Sequence, residues 1–210
     1  MYSAIELHEV EEKPRISDIT MAVLQQYYEI YLMPFIFEYT VTYENGSEKM
    51  LQLRFDEDNF CHLLGVESIA KKAVKFSMLA EYRGKKGWDN VKNGVITFAC
   101  LKKLNQRQFK NVKAKYVYFY LMPNMISNPL AINYKRDLVD PETNIECEIM
   151  FYSYCENAVI HLGIEYSEDK GYYIARSFFV EKLSNDNPVD NYIKNQENIS
   201  ADLKAKVIML

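Results

Sequence analysis

The sequence predicts an α+β fold: a curved, mostly antiparallel sheet of about five strands with helices packed on one face. Three observations carry this reading. An Asn45-Gly46 turn joins two runs of alternating apolar and polar residues. A central block, residues 66–128, repeats apolar residues at helical spacing. Three more alternating runs follow, joined by short turns. With 210 residues, 49% of them apolar, the chain is long enough to bury a substantial core.

The first helix is expected over residues 17–33. Ser17 is a candidate N-cap, Ile19, Val23, Tyr27 and Ile30 recur at helical spacing, and Pro34 stops it. "FIFEYTVTY" and "EKMLQLRF" flank the turn as antiparallel strands. A short helix follows in "FDEDNFCHLLGVE", where Asp56 can cap and Gly65 can close. Phe60, Leu63 and Leu64 fall on one side of it and His62 nearly opposite, facing either plain solvent or a cleft. In the helical block, "RGKKG" is expected to break the chain and "WDNVKNG" to form one turn. "KAKYVYFYLMPNMIS" is read as helix, although its Val, Tyr and Phe content also suits a strand.

The last three strands are "IECEIMFYSYC", "NAVIHLGIEYS" and "GYYIARSFFVEKL". On the middle one, Ala158, Ile160, Leu162 and Ile164 share a face expected to pack on helices. Val159, His161 and Gly163 share the other, expected open, as are Glu148 and Tyr152 on the preceding strand. The tail reads as a polar linker into a short final helix. The expected organisation is thus an N-terminal helix and lead-in (1–34), a main domain (35–183) with a helical basic insert (66–128), and a tail (184–210).

Four scattered cysteines with no CxxC pair fit reduced thiols in a cytoplasmic protein. The acidic N-terminus lacks the regions of a signal peptide, and no apolar run is long enough to span a membrane. The net charge of −4 is unevenly spread. Lys71 to Lys115 holds 13 Lys and Arg against Glu81 and Asp89, a local balance of +11 that leaves −15 elsewhere. Such segregation suits either a polyanion-binding surface or a set of helices with wet lysine faces.

Glu148, Tyr152 and His161 can exchange protons or donate hydrogen bonds near neutral pH. Arg176 sits between Ile174 and Phe178, where an unpaired guanidinium is costly, so it needs a carboxylate or an anionic ligand. Ser177 points the other way, and which of the two faces the cleft stays open. These groups suit phosphodiester cleavage of RNA without a metal, with base, acid and cationic stabiliser. Wet sheet faces also carry Glu, His and Tyr for no catalytic reason. Nucleotide-binding P-loop, HExxH, zinc-deaminase and GxSxG motifs are absent, and His8, His62 and His161 have no ligand spacing, so neither metal nor cofactor is expected.

Phe60, His62, Leu63, Leu64 and Gly65, then Leu162-Gly163-Ile164, then the Tyr172–Phe179 run with its Ser-Phe-Phe end, together resemble a known group. The chain resembles the phage barnase–EndoU–colicin–RelE-like (BECR) nuclease domains, fourth phage group, over roughly residues 35 to 182. The resemblance implies a BECR-like sheet and a metal-independent ribonuclease of phage, mobile-element or toxin type. By motif it assigns His62 and Ser177, with Arg176 adjacent; His161 and Glu148 come from the face reading. Lys85, Lys86, Lys102, Lys103 and Tyr152 are expected to hold RNA, with His62 and Arg176 converging on one anion pocket. An antitoxin or immunity protein is a further expected partner, and a non-catalytic RNA- or protein-binding module is the alternative.

Overall fold

Two segments distant in sequence, Met1–Pro34 and Phe55–Met122, build a helical unit, while Phe35–Arg54 and Pro123–Leu210 build a β unit. A computed structural model describes residues 1–185 and 188–209.

The helical unit opens with α1 (Ala4–Glu9), held by a reciprocal Ser3–Glu6 capping box. Its second helix, α2 (Met21–Tyr31), starts at Thr20 rather than Ser17, because the Thr20 hydroxyl accepts from the Val23 N–H at 3.1 Å. Then come α3 (Glu57–Leu63), α4 (Val66–Lys71), a 3-10 stretch (Phe76–Tyr82) and α5 (Gly84–Lys92). The expected break at "RGKKG" is instead the first turn of α5. Gly87 lies inside that helix because a Cβ there would sit 2.9 Å from Cys61 Sγ and 2.8 Å from the Tyr82 backbone. Two capped helices follow, α6 (Phe98–Leu104) behind Thr97 and α7 (Gln106–Tyr118) behind Asn105, so the Tyr- and Val-rich segment is helical. At the unit boundary, α8 (Met122–Ser127) begins. The core is aromatic: Trp88 meets Phe60 edge-on at 5.2 Å and Tyr28 at 5.9 Å, and Phe119 meets Phe60 at 6.3 Å.

Among the described residues of the β unit, seven strands close into a barrel, two more than the expected open sheet. They are β1 (Phe35–Thr42), β2 (Glu48–Arg54), β3 (Leu130–Asn133), β4 (Ile149–Cys155), β5 (Ala158–Ser167), β6 (Tyr172–Lys182) and β7 (Glu197–Ile208). Their order is β1-β2-β6-β5-β4-β3-β7. The Asn-Gly hairpin pairs Thr42 with Glu48, as its sequence predicts. The expected final helix is instead β7, which pairs with both β1 and β3 and so leaves neither edge bare. Closure occurs at β2 and β6, which run parallel and share just two residue pairs, Leu53–Tyr173 and Arg54–Ile174.

Tyr39 of β1 and Phe151 of β4 are not strand neighbours, yet their rings lie 5.2 Å apart, so they meet across the barrel interior. Ile160, Leu162 and Ile164 share that interior. The opposite face of β4 and β5, expected open from its polar residues, is covered. Met150, Tyr152 and Val159 form a second core with Tyr134, Val139, Leu183, Tyr192 and Ile193. The apolar members of that face are what draw the cover down. Gly163 lies beneath it, where a Cβ would stand 2.4 Å from Ser177 Oγ and 2.8 Å from Cys147 Sγ. Gly163→Ala is expected to cost about 1–3 kcal/mol of stability; an unchanged urea midpoint would show that the cover gives way freely.

Candidate functional site

The short β2–β6 pairing leaves the rest of β2 apart from β6, and a cleft of about 420 Å³ opens there. Its walls include Lys49, Gln52, Glu148, Tyr166, Tyr172 and Tyr173. Lys49 continues the inward row of Leu53 and Leu51, and Tyr173 continues that of Ala175, so both reach the cleft at the end of the apolar interior. The Lys49 ammonium lies 3.1 Å from Glu148 Oε1 and 5.1 Å from the Tyr173 ring centre. The Tyr173 hydroxyl is buried and makes no hydrogen bond of good geometry. It nevertheless stands close enough to both charges to feel them.

These groups set one another's protonation. Burial pushes Glu148 up, but the approach of Tyr173 and Lys49 outweighs it and holds the carboxyl below its usual range. Burial likewise opposes the Lys49 charge, yet Tyr173 and Glu148 raise it above the ordinary lysine range. Burial, helped by Glu148 and opposed by Lys49, pushes the Tyr173 phenol up to about 12. At neutral pH the cleft therefore holds a carboxylate, an ammonium and a protonated phenol. Beside them the Arg54 guanidinium lies 4.6 Å from the Tyr172 ring centre and donates to Gln52 Oε1 at 3.3 Å. Its buried Nε has no partner.

The other expected residues are not among those that wall this cleft. His62 stays on the outer face of α3, half-exposed, with Nδ1 3.3 Å from Glu67 Oε2; Glu67 Oε1 lies 3.7 Å from Arg83. Arg176 is half-exposed, not enclosed by apolar groups, with Nε 3.1 Å from Glu165 Oε2. It is the extra residue of a β-bulge, since Gly163 pairs with Ser177 and Ile164 with Ala175. The bulge is why strand parity could not orient it. Ser177 Oγ is buried and unpartnered beneath the cover. His161 is buried there too, stacked on Phe179 at 4.2 Å, with Nε2 2.8 Å from Asp190 Oδ2 but not aligned for a hydrogen bond. Tyr152 shares that covered face, so neither it nor His161 stands with Glu148. Lys85 is paired with Glu57 and Asp89, and Lys86 with Glu81. Lys102 and Lys103 are exposed on α6.

One comparison decides the lineage. The model of the phage-Barnase-EndoU-ColicinE5/D-RelE like nuclease4 family, PBECR4, matches residues 21–207. The chain belongs to this family. No curated protein and no solved structure matches it. PBECR4 membership makes the chain a nuclease-family protein, for which nucleic acid is the substrate class. The match takes in every strand except the last residue of β7. No helix among the described residues is long and apolar enough to cross a membrane, and among them no cluster of His, Cys, Asp and Glu could hold a metal.

Sequence reasoning missed Lys49, Tyr173 and the Arg54–Tyr172 pair. A signal existed for the first: in "EKMLQLRF" Lys49 keeps the inward register of Leu51 and Leu53, where an ammonium needs a partner.

Proposed function

We propose that the chain is a metal-independent ribonuclease that cleaves RNA by internal transesterification in the β2–β6 cleft. The observation that carries this reading is the meeting there of an ionised carboxylate, an ammonium and a buried phenol. Glu148 accepts the proton of a ribose 2′-hydroxyl as its oxygen bonds to phosphorus. The bond from phosphorus to the 5′-oxygen breaks, and that oxygen takes the Tyr173 proton. Lys49 and Arg54 stabilise the charge that builds on the phosphoryl oxygens. The products are a 2′,3′-cyclic phosphate and a 5′-hydroxyl. Tyr166 and Tyr172 offer ring faces to the flanking bases. The phage or toxin setting follows the family's name, and an antitoxin or immunity protein that fills the cleft would silence it.

Digestion of total RNA in EDTA tests the reading. Fragments ending in cyclic phosphate support it, and a mobility shift with intact RNA assigns the chain to the non-catalytic binding modules instead.

A second reading has its own observation. Glu67 bridges His62 and Arg83, an arrangement that orients an imidazole for proton transfer, and His62 is one of the residues on which the sequence resemblance rests. On the cleft reading His62→Ala leaves cleavage of a dinucleotide within about three-fold of the parent. A loss of about 10²-fold or more would move the proton chemistry to α3.

A further inference from the structure

We infer that the helical unit carries a separate docking surface for single-stranded RNA, in which Phe76 stacks on an unpaired base while lysines of α4, α6 and the segment after α4 hold the neighbouring phosphates. The inference rests on the nucleic-acid reading above but not on its catalytic residues.

Phe76 is 84% exposed and Met78 51% exposed, whereas Leu79 between that stretch and the core is buried and anchors it. A phenylalanine held in water does no packing work in the helical unit. Its surroundings state what it could meet. Residues 71–80 and 90–115 contain no Asp or Glu. Lys71, Lys75, Lys102, Lys103 and Lys110 are all exposed on these segments, and among the described residues none is paired with a carboxylate. Lys85, Lys86 and Lys92, beside them, are neutralised by Glu57, Glu81 and Glu29. The free cations are therefore grouped, not scattered.

The elements that bear them are also packed together. Lys72 Nζ donates to Gln108 Oε1 at 3.3 Å and ties the end of α4 to α7. Helix α4 packs against α6 and against the 3-10 stretch that carries Phe76. Uncompensated positive charge selects a polyanion. A bare aromatic ring among those charges selects one with accessible π-faces, which single strands offer and duplexes hide. An anionic bilayer is the rival occupant, since Phe and Met can enter an interface.

Binding is read with a short 2′-O-methyl RNA strand, which lacks the attacking hydroxyl and so cannot be cleaved by transesterification. The same sequence as a duplex and phosphatidylserine vesicles are the comparison probes. The parent is expected to prefer the single strand. Phe76→Ala should weaken that binding roughly ten-fold and leave duplex binding unchanged; the exposed position keeps the fold intact, which circular dichroism checks. Replacing Lys102 and Lys103 by Glu should reduce the slope of log affinity against log salt by roughly 0.7 for each phosphate no longer neutralised.

Equal single-strand binding by Phe76→Ala and the parent overturns the inference, and so does binding to vesicles without binding to RNA. Dinucleotide cleavage separates this surface from the cleft. Phe76→Ala should cleave a dinucleotide as the parent does, and a loss there would overturn a separate surface. A parent that binds the strand but cleaves nothing would leave this inference standing and remove the catalytic one.

Discussion

Glu148→Gln is expected to lower RNA cleavage by about 10²–10⁴-fold, the usual contribution of a positioned proton acceptor. The amide keeps the shape and can still accept a hydrogen bond from Lys49, but it cannot take up the 2′-hydroxyl proton. Because the Glu148 side chain is 46% exposed, the barrel should fold as before. The pH profile follows from the shifts. Glu148 must be ionised to act, and its carboxyl is held below the usual range, so the rate stays level through mildly acidic solution. It falls only as pH drops through that lowered value. Tyr173 must keep its proton, and with its phenol pushed up to about 12 it does so across the neutral and moderately alkaline range. A broad plateau is expected. A limb near pH ~6.5, where free imidazole side chains titrate, would give the base role to a histidine, and full activity in Glu148→Gln would end the cleft mechanism.

Trp88→Ala should cost the helical unit about 3–5 kcal/mol. The indole is fully buried against Tyr28 and Phe60, and its own backbone carbonyl accepts from Gln25 Nε2 at 2.8 Å. Removing the ring leaves a cavity bounded by other large rings that have little freedom to collapse. Folded domains are stable by only about 5–15 kcal/mol, so the variant should lose much of its helical circular dichroism at low urea. Since Trp88 is the sole tryptophan, fluorescence of the parent reports the helical unit by itself. A loss under about 1 kcal/mol would contradict the view that this aromatic cluster carries the unit.

The local order of the fold was legible wherever one residue's chemistry decides it. Asn45-Gly46 fixed the hairpin, and the alternation in β4 and β5 gave those strands correctly. Elements decided by distant partners were not. "ENISADLKAKVI" has few strongly apolar residues and reads as a helix, and it is a strand because β1 and β3 both need a neighbour. The covered face of β5 failed for a similar reason: His161 looks like a wet-face residue until Asp190, from far along the chain, is brought to it. Of the candidate site, Glu148 was found from its strand. Lys49 and Tyr173 were not, because a closed barrel is needed to bring β2 beside β6.

The bulge at Arg176 has a consequence for how this strand can vary. Ala175 faces Ile164 and Ser177 faces Gly163, so a chain lacking residue 176 would form an unbroken ladder with every neighbour kept in place. Residue 176 is therefore extra to the ladder, not a rung of it. Its deletion is expected to leave the inward row of Tyr173, Ala175 and Phe178 as it is.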